Sequence, residues 1–220
     1  MKRILLVAAL ALAACSQRGR PEGPIFNVAQ PSDVIAAELA FAQRAQERGQ
    51  WTAFRETAAS DAEMFVPQRS NAQQWLRGRA DPPVAVRWQP HEVWVSHDGS
   101  LAVTYGAWQR PNGTGYFITV WKRQRDGGFK WVLDQGADLA TPLAATDELR
   151  AHVADEMPGA APRIEPCGSA GGEPVISHQS DDQTLQACTI LFADGHRQFA
   201  IFLQQGSGQS TVFDRTIPAG

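Results

Sequence analysis

The chain has 220 residues, 43% of them apolar, with 20 basic and 23 acidic side chains and a formal net charge of -3. That is enough apolar material for one sizeable packed domain, or a domain with an appendage. The 17 arginines are scattered singly among acids, so no clustered basic face is available to phosphates, and nucleic acid is excluded as a partner.

Met1-Lys2-Arg3 forms a basic start, and Ile4 to Leu12 is an apolar run without charge. Nine residues are far short of the ~20 that span a bilayer as a helix, so the run reads as an export signal. Leu12-Ala13-Ala14-Cys15 follows it directly. This segment resembles the lipobox of bacterial lipoproteins in all four positions, which implies cleavage after residue 14 and a diacylglycerol on the Cys15 thiol. The mature chain would carry 18 basic against 23 acidic side chains and sit in the cell envelope, anchored to the membrane by its N-terminal lipid. Ser16 stands where an Asp retains many such proteins at the inner membrane, so the periplasmic side of the outer membrane is the expected address.

Residues 15–31 hold prolines and glycines without periodicity and read as a flexible tether. Ser32 or Asp33 can cap a first helix with apolar positions 34, 35, 39, 41, 42 and 45, and Gly49 suits its end. Trp51 and Phe54 open a second helix. Glu63 to Val66 is a short strand, and Ala72 to Leu76 a brief helical turn carrying Trp75.

From residue 84 the pattern changes to β. Asp98-Gly99, Asn112-Gly113 and Asp126-Gly127 punctuate segments rich in Val, Trp, Tyr, Phe and Thr, predicting four antiparallel strands near 84–97, 100–111, 114–125 and 129–136. All seven tryptophans lie between 51 and 131, which places the aromatic core in this helix-plus-meander unit, residues 32–140. Residues 141–162 read as a connector with a short helix at 146–156. Residues 163–220 read as a β-rich extension with a three-stranded meander at 185–192, 197–204 and 211–217. Such an extension is marginal alone and is expected to pack on the first domain. With Cys15 acylated, Cys167 and Cys188 remain as a pair in an oxidising compartment, which favours a disulfide.

The order helix, helix, short strand, brief helix and meander resembles the nuclear transport factor 2 (NTF2)-like superfamily. "AQRAQERGQWTAFRETAASDAEMFVP" is similar to the opening of SnoaL-like and DUF4440-type members, and "HDGSLAVTYGAW" with "GYFITVWKRQRDGGFKWVLDQG" to their meander. The resemblance implies an α+β fold, a cone-shaped (cystatin-like) domain of N-terminal helices on a curved antiparallel sheet. The superfamily hosts enzymes, binders and scaffolds alike, so it implies no single activity. Where ketosteroid isomerases carry a first-helix Tyr and an Asp before the strand-ending Pro, this chain has Phe41 and Val66, and that mechanism is discounted.

Treating the three Asx-Gly dipeptides as two-residue loops gives a register by counting. One face collects Trp94, Val103, Lys122 and Trp131, then Glu92, Tyr105, Val120 and Leu133. The other collects Val93, Thr104, Trp121 and Val132, then His91, Gly106, Thr119 and Asp134, with Trp108 and Phe117 beyond. The second face is the expected pocket face, with Gly106 as a gap. His91, Thr119, Asp134, Trp108 and Trp121 are the candidate ligand contacts, and Glu92 with Tyr105 is the second-choice row. No nucleophile elbow, zincin helix, phosphate loop or dinucleotide fingerprint occurs, and the five histidines lack metal-ligand spacing, so no catalytic residue, metal or cofactor is assigned. The reading at this level is a lipid-anchored binding or accessory module, with a small apolar ligand as its expected guest. An enzyme of the SnoaL type (cyclase, dehydratase or isomerase) and an interaction scaffold, with a homodimer through the sheet, are the alternatives.

Overall fold

A computed structural model describes residues 29–157 and 175–220. The lipobox with Cys15, nearly all of the tether, and Cys167 lie outside the described residues.

The first helix, α1 (Pro31–Arg48), buries a stripe of Val34, Glu38, Phe41 and Ala45. It starts one residue before the expected Ser32 or Asp33 cap, with Pro31 in its first turn and no side-chain cap at Gln30. Asp33 bonds Arg123 instead, at 2.9 Å. Gly49 closes the helix as anticipated, with φ of 105°, where a Cβ would lie 2.3 Å from the Asp81 carboxylate. That carboxylate accepts from the Thr52 amide and hydroxyl at 2.9 and 2.7 Å, which fixes the start of α2 (Gln50–Thr57). These bonds hold Asp81 below the usual carboxylate range.

β1 (Ala58–Phe65), β2 (Arg69–Asn71) and α3 (Ala72–Leu76) follow, the last capped by Asn71 Oδ1 accepting from the Gln74 amide at 3.0 Å. The meander is β3 (Arg87–Val95), β4 (Leu101–Arg110), β5 (Gly113–Arg123) and β6 (Phe129–Leu139). The sheet is mixed rather than purely antiparallel. β1 joins β6 in parallel at one side, and β7 (Arg150–Val153) joins β3 in parallel at the other, giving the order β2-β1-β6-β5-β4-β3-β7. The helix expected at 146–156 is therefore absent. Ala151 to Val153 extend the sheet because the β3 edge offers unpaired backbone groups, which outweigh the weak helical preference of so short a segment.

The extension has four strands rather than three: β8 (Val175–Gln179), β9 (Leu185–Leu191), β10 (Arg197–Gln205) and β11 (Gly208–Ile217), in the order β11-β10-β9-β8. It packs on the first sheet as anticipated. One core lies between helices and first sheet around Phe41, Leu76, Trp121 and Trp131. A second lies between the sheets, where Trp94, Val103, Ile118 and Leu133 meet Leu185, Phe199, Ile201 and Leu203. The β3–β4 turn also grips the β8–β9 turn, as the Asp98 and Asp182 carboxylates each accept the other's backbone amide, at 2.8 and 3.1 Å.

Register departs from simple counting in three places. Asn112 and Pro111 form the β4–β5 loop, so the pairing slides by two and Thr104, not Gly106, stands beside Thr119. A slide of two preserves the faces. The β5–β6 loop is longer than two residues, but a bulge near Val132 restores the counted pairing of Thr119 with Asp134. Between loop and bulge the faces exchange. Trp131 therefore joins Trp121 under the helices, and Val132 turns to the inter-sheet core. A third irregularity between Pro90 and Glu92 brings Pro90 opposite Gly106.

Candidate functional site

Between the helices and the concave face of the first sheet lies a cavity of about 260 Å³. Its walls are aromatic: Phe41 on α1, Trp51 and Phe54 on α2, Trp88 on β3, Trp108 on β4 and Phe117 on β5. Phe41 meets Phe54 and Trp88 edge to face at centroid distances of 4.8 Å each, so the wall is one interlocked cluster. Trp108 can lie flat because its neighbour is Gly115, where a Cβ would come within 2.4 Å of the indole. Arg110 pairs with Asp138 at 2.7 Å on the solvent side and stands 5.0 Å from the Trp108 ring, marking the mouth.

At the polar end of this cavity the Thr119 hydroxyl donates to Asp134 Oδ2 at 2.9 Å. The bond follows from their direct pairing across β5 and β6, as counted from the sequence. Burial among aromatic side chains pushes the Asp134 carboxyl up to about 7, against the opposing pull of the Thr119 bond and with a smaller push from the charge of Glu38. At neutral pH Asp134 thus holds a proton in a substantial fraction of molecules. With Oδ2 taken by Thr119, Oδ1 remains to donate to, or accept from, a ligand group.

Glu38 was not anticipated. It is 0% exposed on α1 and accepts from Trp88 Nε1 at 2.7 Å, the Thr104 hydroxyl at 2.6 Å and Trp121 Nε1 at 3.1 Å. Burial raises its pKa, and the three donors offset part of that rise. The sequence does hold a signal: the stripe 34, 38, 41, 45 has helical spacing with a carboxylate in its middle, a position that requires buried donors on the facing strands.

Of the candidate contacts, Thr119, Asp134 and Trp108 line the cavity. Trp121 does not; it lies behind the wall, donating to Glu38. His91 does not line it either. The irregularity beside Pro90 removes His91 from the row, leaving it 5% exposed, with burial lowering its pKa so that the ring is neutral. The expected gap at Gly106 is filled by backbone, because a Cβ there would meet the Gln89 carbonyl oxygen at 2.0 Å. Glu92 and Tyr105 are paired across β3 and β4, but on the inter-sheet face. Glu92 bonds His152 at 3.2 Å and the Tyr105 hydroxyl accepts from Arg215 at 2.7 Å, so this second-choice row joins packing between elements rather than a cavity. Among the described residues no three His, Cys, Asp or Glu side chains are placed to hold a metal ion.

No family model matches the chain, and no curated protein sequence matches it. Solved structures resemble about half of it. A ketosteroid isomerase-like protein from Parabacteroides distasonis has 14% identity over 52% of this chain and 96% of its own, with a TM-score of 0.40. An NTF-2 like protein of unknown function from Burkholderia xenovorans has 17% identity over 53% and 91%, with a TM-score of 0.34. ActVI-ORFA from Streptomyces coelicolor has 13% identity over 50% and 97%, with a TM-score of 0.34. Likenesses of this size carry no inference about activity. In its own element order, with two helices, a strand, a short helix and a four-stranded meander, the described chain has an α+β fold of the kind that the NTF2-like resemblance implies.

Proposed function

We propose that the cone binds a small, largely apolar ligand, which Asp134 and Thr119 orient through one hydrogen-bonding group. The observation behind this reading is the union of an aromatic-walled cavity with a single polar pair at one end. Its volume falls just below the ~300–1,000 Å³ typical of ligand sites, which suits a one- or two-ring molecule. A carboxyl near half-protonation selects a neutral carbonyl or hydroxyl over a carboxylate. Ligand binding should change tryptophan fluorescence, since Trp51, Trp88 and Trp108 line the cavity. In a titration with two-ring phenols and ketones, Asp134→Ala should weaken binding by ~1–3 kcal/mol through the lost or unpaired hydrogen bond. Equal affinity in the two proteins would refute the assignment.

The same carboxyl supports a second reading, catalysis of the SnoaL type, because a group at about 7 can give or take a proton near neutral pH. Glu38 does not supply its partner, being sealed behind Trp88 and Trp121. A protein-interaction scaffold is the third reading. A homodimer through the sheet would have to form at a strand edge, since the second sheet covers the face turned away from the helices.

The protein would work as an exported lipoprotein tethered through Cys15 on the periplasmic side of the outer membrane, a reading supported by the lipobox and the Pro/Gly-rich segment behind it. Cys15→Ser should move the protein from the membrane to the soluble fraction. Retention of that variant on membranes after a high-salt wash would refute lipid anchoring.

A further inference from the structure

A second hollow of about 260 Å³ opens at the end of the inter-sheet core, where the last residue of β1 meets the first of β10. Phe65, Pro67, Leu191 and Phe192 give it an apolar lining, Arg69, His196 and Arg197 are its basic side chains, and Asp194 and Gly220 line it as well. Two of the three basic side chains are matched. Arg69 forms a two-pronged bond to Glu63 at 2.9 Å through each nitrogen, and His196 Nδ1 meets the Asp194 carboxylate.

Arg197 is the exception. Its side chain lies on the inter-sheet face and is 5% exposed, with the guanidinium carbon 4.2 Å from the centre of the Phe65 ring. Its Nε is buried without a hydrogen-bond partner, and no carboxylate lies within 4.0 Å of it among the described residues. A buried guanidinium is costly unless an anion and hydrogen-bond acceptors compensate it, and attraction to one phenyl face replaces only part of its hydration. The same burial lowers its pKa, though a guanidinium stays charged at any physiological pH. An apolar-lined hollow beside a buried guanidinium whose Nε has no partner is the chemistry that takes up a monoanion.

We propose that this hollow is a binding site for a small organic carboxylate, separate from the cone. Arg197 grips the carboxylate, while Phe65, Pro67 and Phe192 hold its hydrocarbon body. A single unmatched charge suits a monoanion, and the apolar lining suits a ring or short alkyl group better than inorganic phosphate.

The test is a titration of the 15N-labelled protein with benzoate, and separately with inorganic phosphate, followed by amide resonances. Benzoate should produce saturable shifts at Gly195, His196 and Arg197, and Arg197→Met should reduce its affinity at least tenfold. Arg197→Lys, which keeps the charge but loses the fork, should fall between the two. Should Arg197→Met fail to fold, the wild-type shift map and the lysine variant decide the matter. The Asp134→Asn protein should bind benzoate as the wild type does, which separates this site from the cone. No saturable shift, shifts confined to Thr119 and Gly136 in the cone, unchanged affinity in the Arg197 variants, or saturation by phosphate but not benzoate would each overturn the proposal.

Discussion

Asp134 makes stability depend on pH in a direction opposite to that of an ordinary ion-paired carboxylate. Its folded pKa of about 7 lies above the 3.8 of a solvated aspartate, so between those limits the folded protein binds more protons than the unfolded chain. Stability from this group is therefore fully present at about pH 4, falls as pH rises, and is gone by about pH 7 to 8. Three pH units at ~1.4 kcal/mol each set a ceiling of ~4 kcal/mol. Water entering the cavity mouth reaches the carboxyl and should cut this to roughly 2 kcal/mol. Asp134→Asn removes the titration while keeping the acceptor for Thr119. Denaturant unfolding of both proteins at pH 5 and pH 8 gives the result as a difference of differences. The variant should gain ~1 kcal/mol on the wild type between the two pH values, since part of the titration lies below pH 5. Glu38, raised in the same direction by burial, is present in both proteins, and its own contribution largely cancels. A wild-type-to-variant difference that does not change with pH would refute the burial argument.

Glu38→Ala takes the acceptor from the half-buried Trp88 Nε1, leaves Trp121 Nε1 only Thr104 Oγ1 and the Thr104 hydroxyl only the Thr119 carbonyl at 3.4 Å, and should cost about 3 kcal/mol, seen as a Tm roughly 10 °C lower in calorimetry. Gly106→Ala forces a Cβ against the Gln89 carbonyl and Pro90 and should cost ~1–3 kcal/mol by denaturant unfolding, whereas an alanine in an open strand would be neutral. We further propose that Cys188, buried on β9, pairs with Cys167 across twenty intervening residues, a closure contributing on the order of 3 kcal/mol. Mass spectrometry of unreduced, alkylated protein should find neither thiol modified.

How far the sequence carried depended on whether local chemistry or tertiary packing decided each feature. The helices at Pro31–Arg48 and Gln50–Thr57, the turn at Ala72–Leu76 and the four meander strands follow from periodicity and turn dipeptides, and they are all present. The pairing of Thr119 with Asp134 was legible too, although by cancellation: the β5–β6 loop runs longer than two residues and the bulge near Val132 restores the count. His91 and Trp131 changed places for the same kind of reason, because a bulge is set by strand curvature under the helices and leaves no mark in a count of residues. Trp121 was assigned to the correct face but the wrong depth, since alternation reports the side of a sheet and not whether another side chain stands in front. β7 was misread because its strand state exists only through the β3 edge, which lies more than fifty residues away in the chain.

The placement of Glu38 has a kinetic consequence. One carboxylate on α1 engages β3, β4 and β5 together, so the helix cannot lift from the sheet without breaking three bonds in concert, two of them buried. The rear wall of the cone is in effect locked, and a guest passes on the open side, where Trp51, Trp108 and the exposed Arg110–Asp138 pair line the cavity. Residence time is then governed by side-chain rotation and by salt at that threshold, not by opening of the fold. Entry and exit should quicken together as ionic strength loosens the Arg110–Asp138 latch, leaving the equilibrium affinity nearly unchanged.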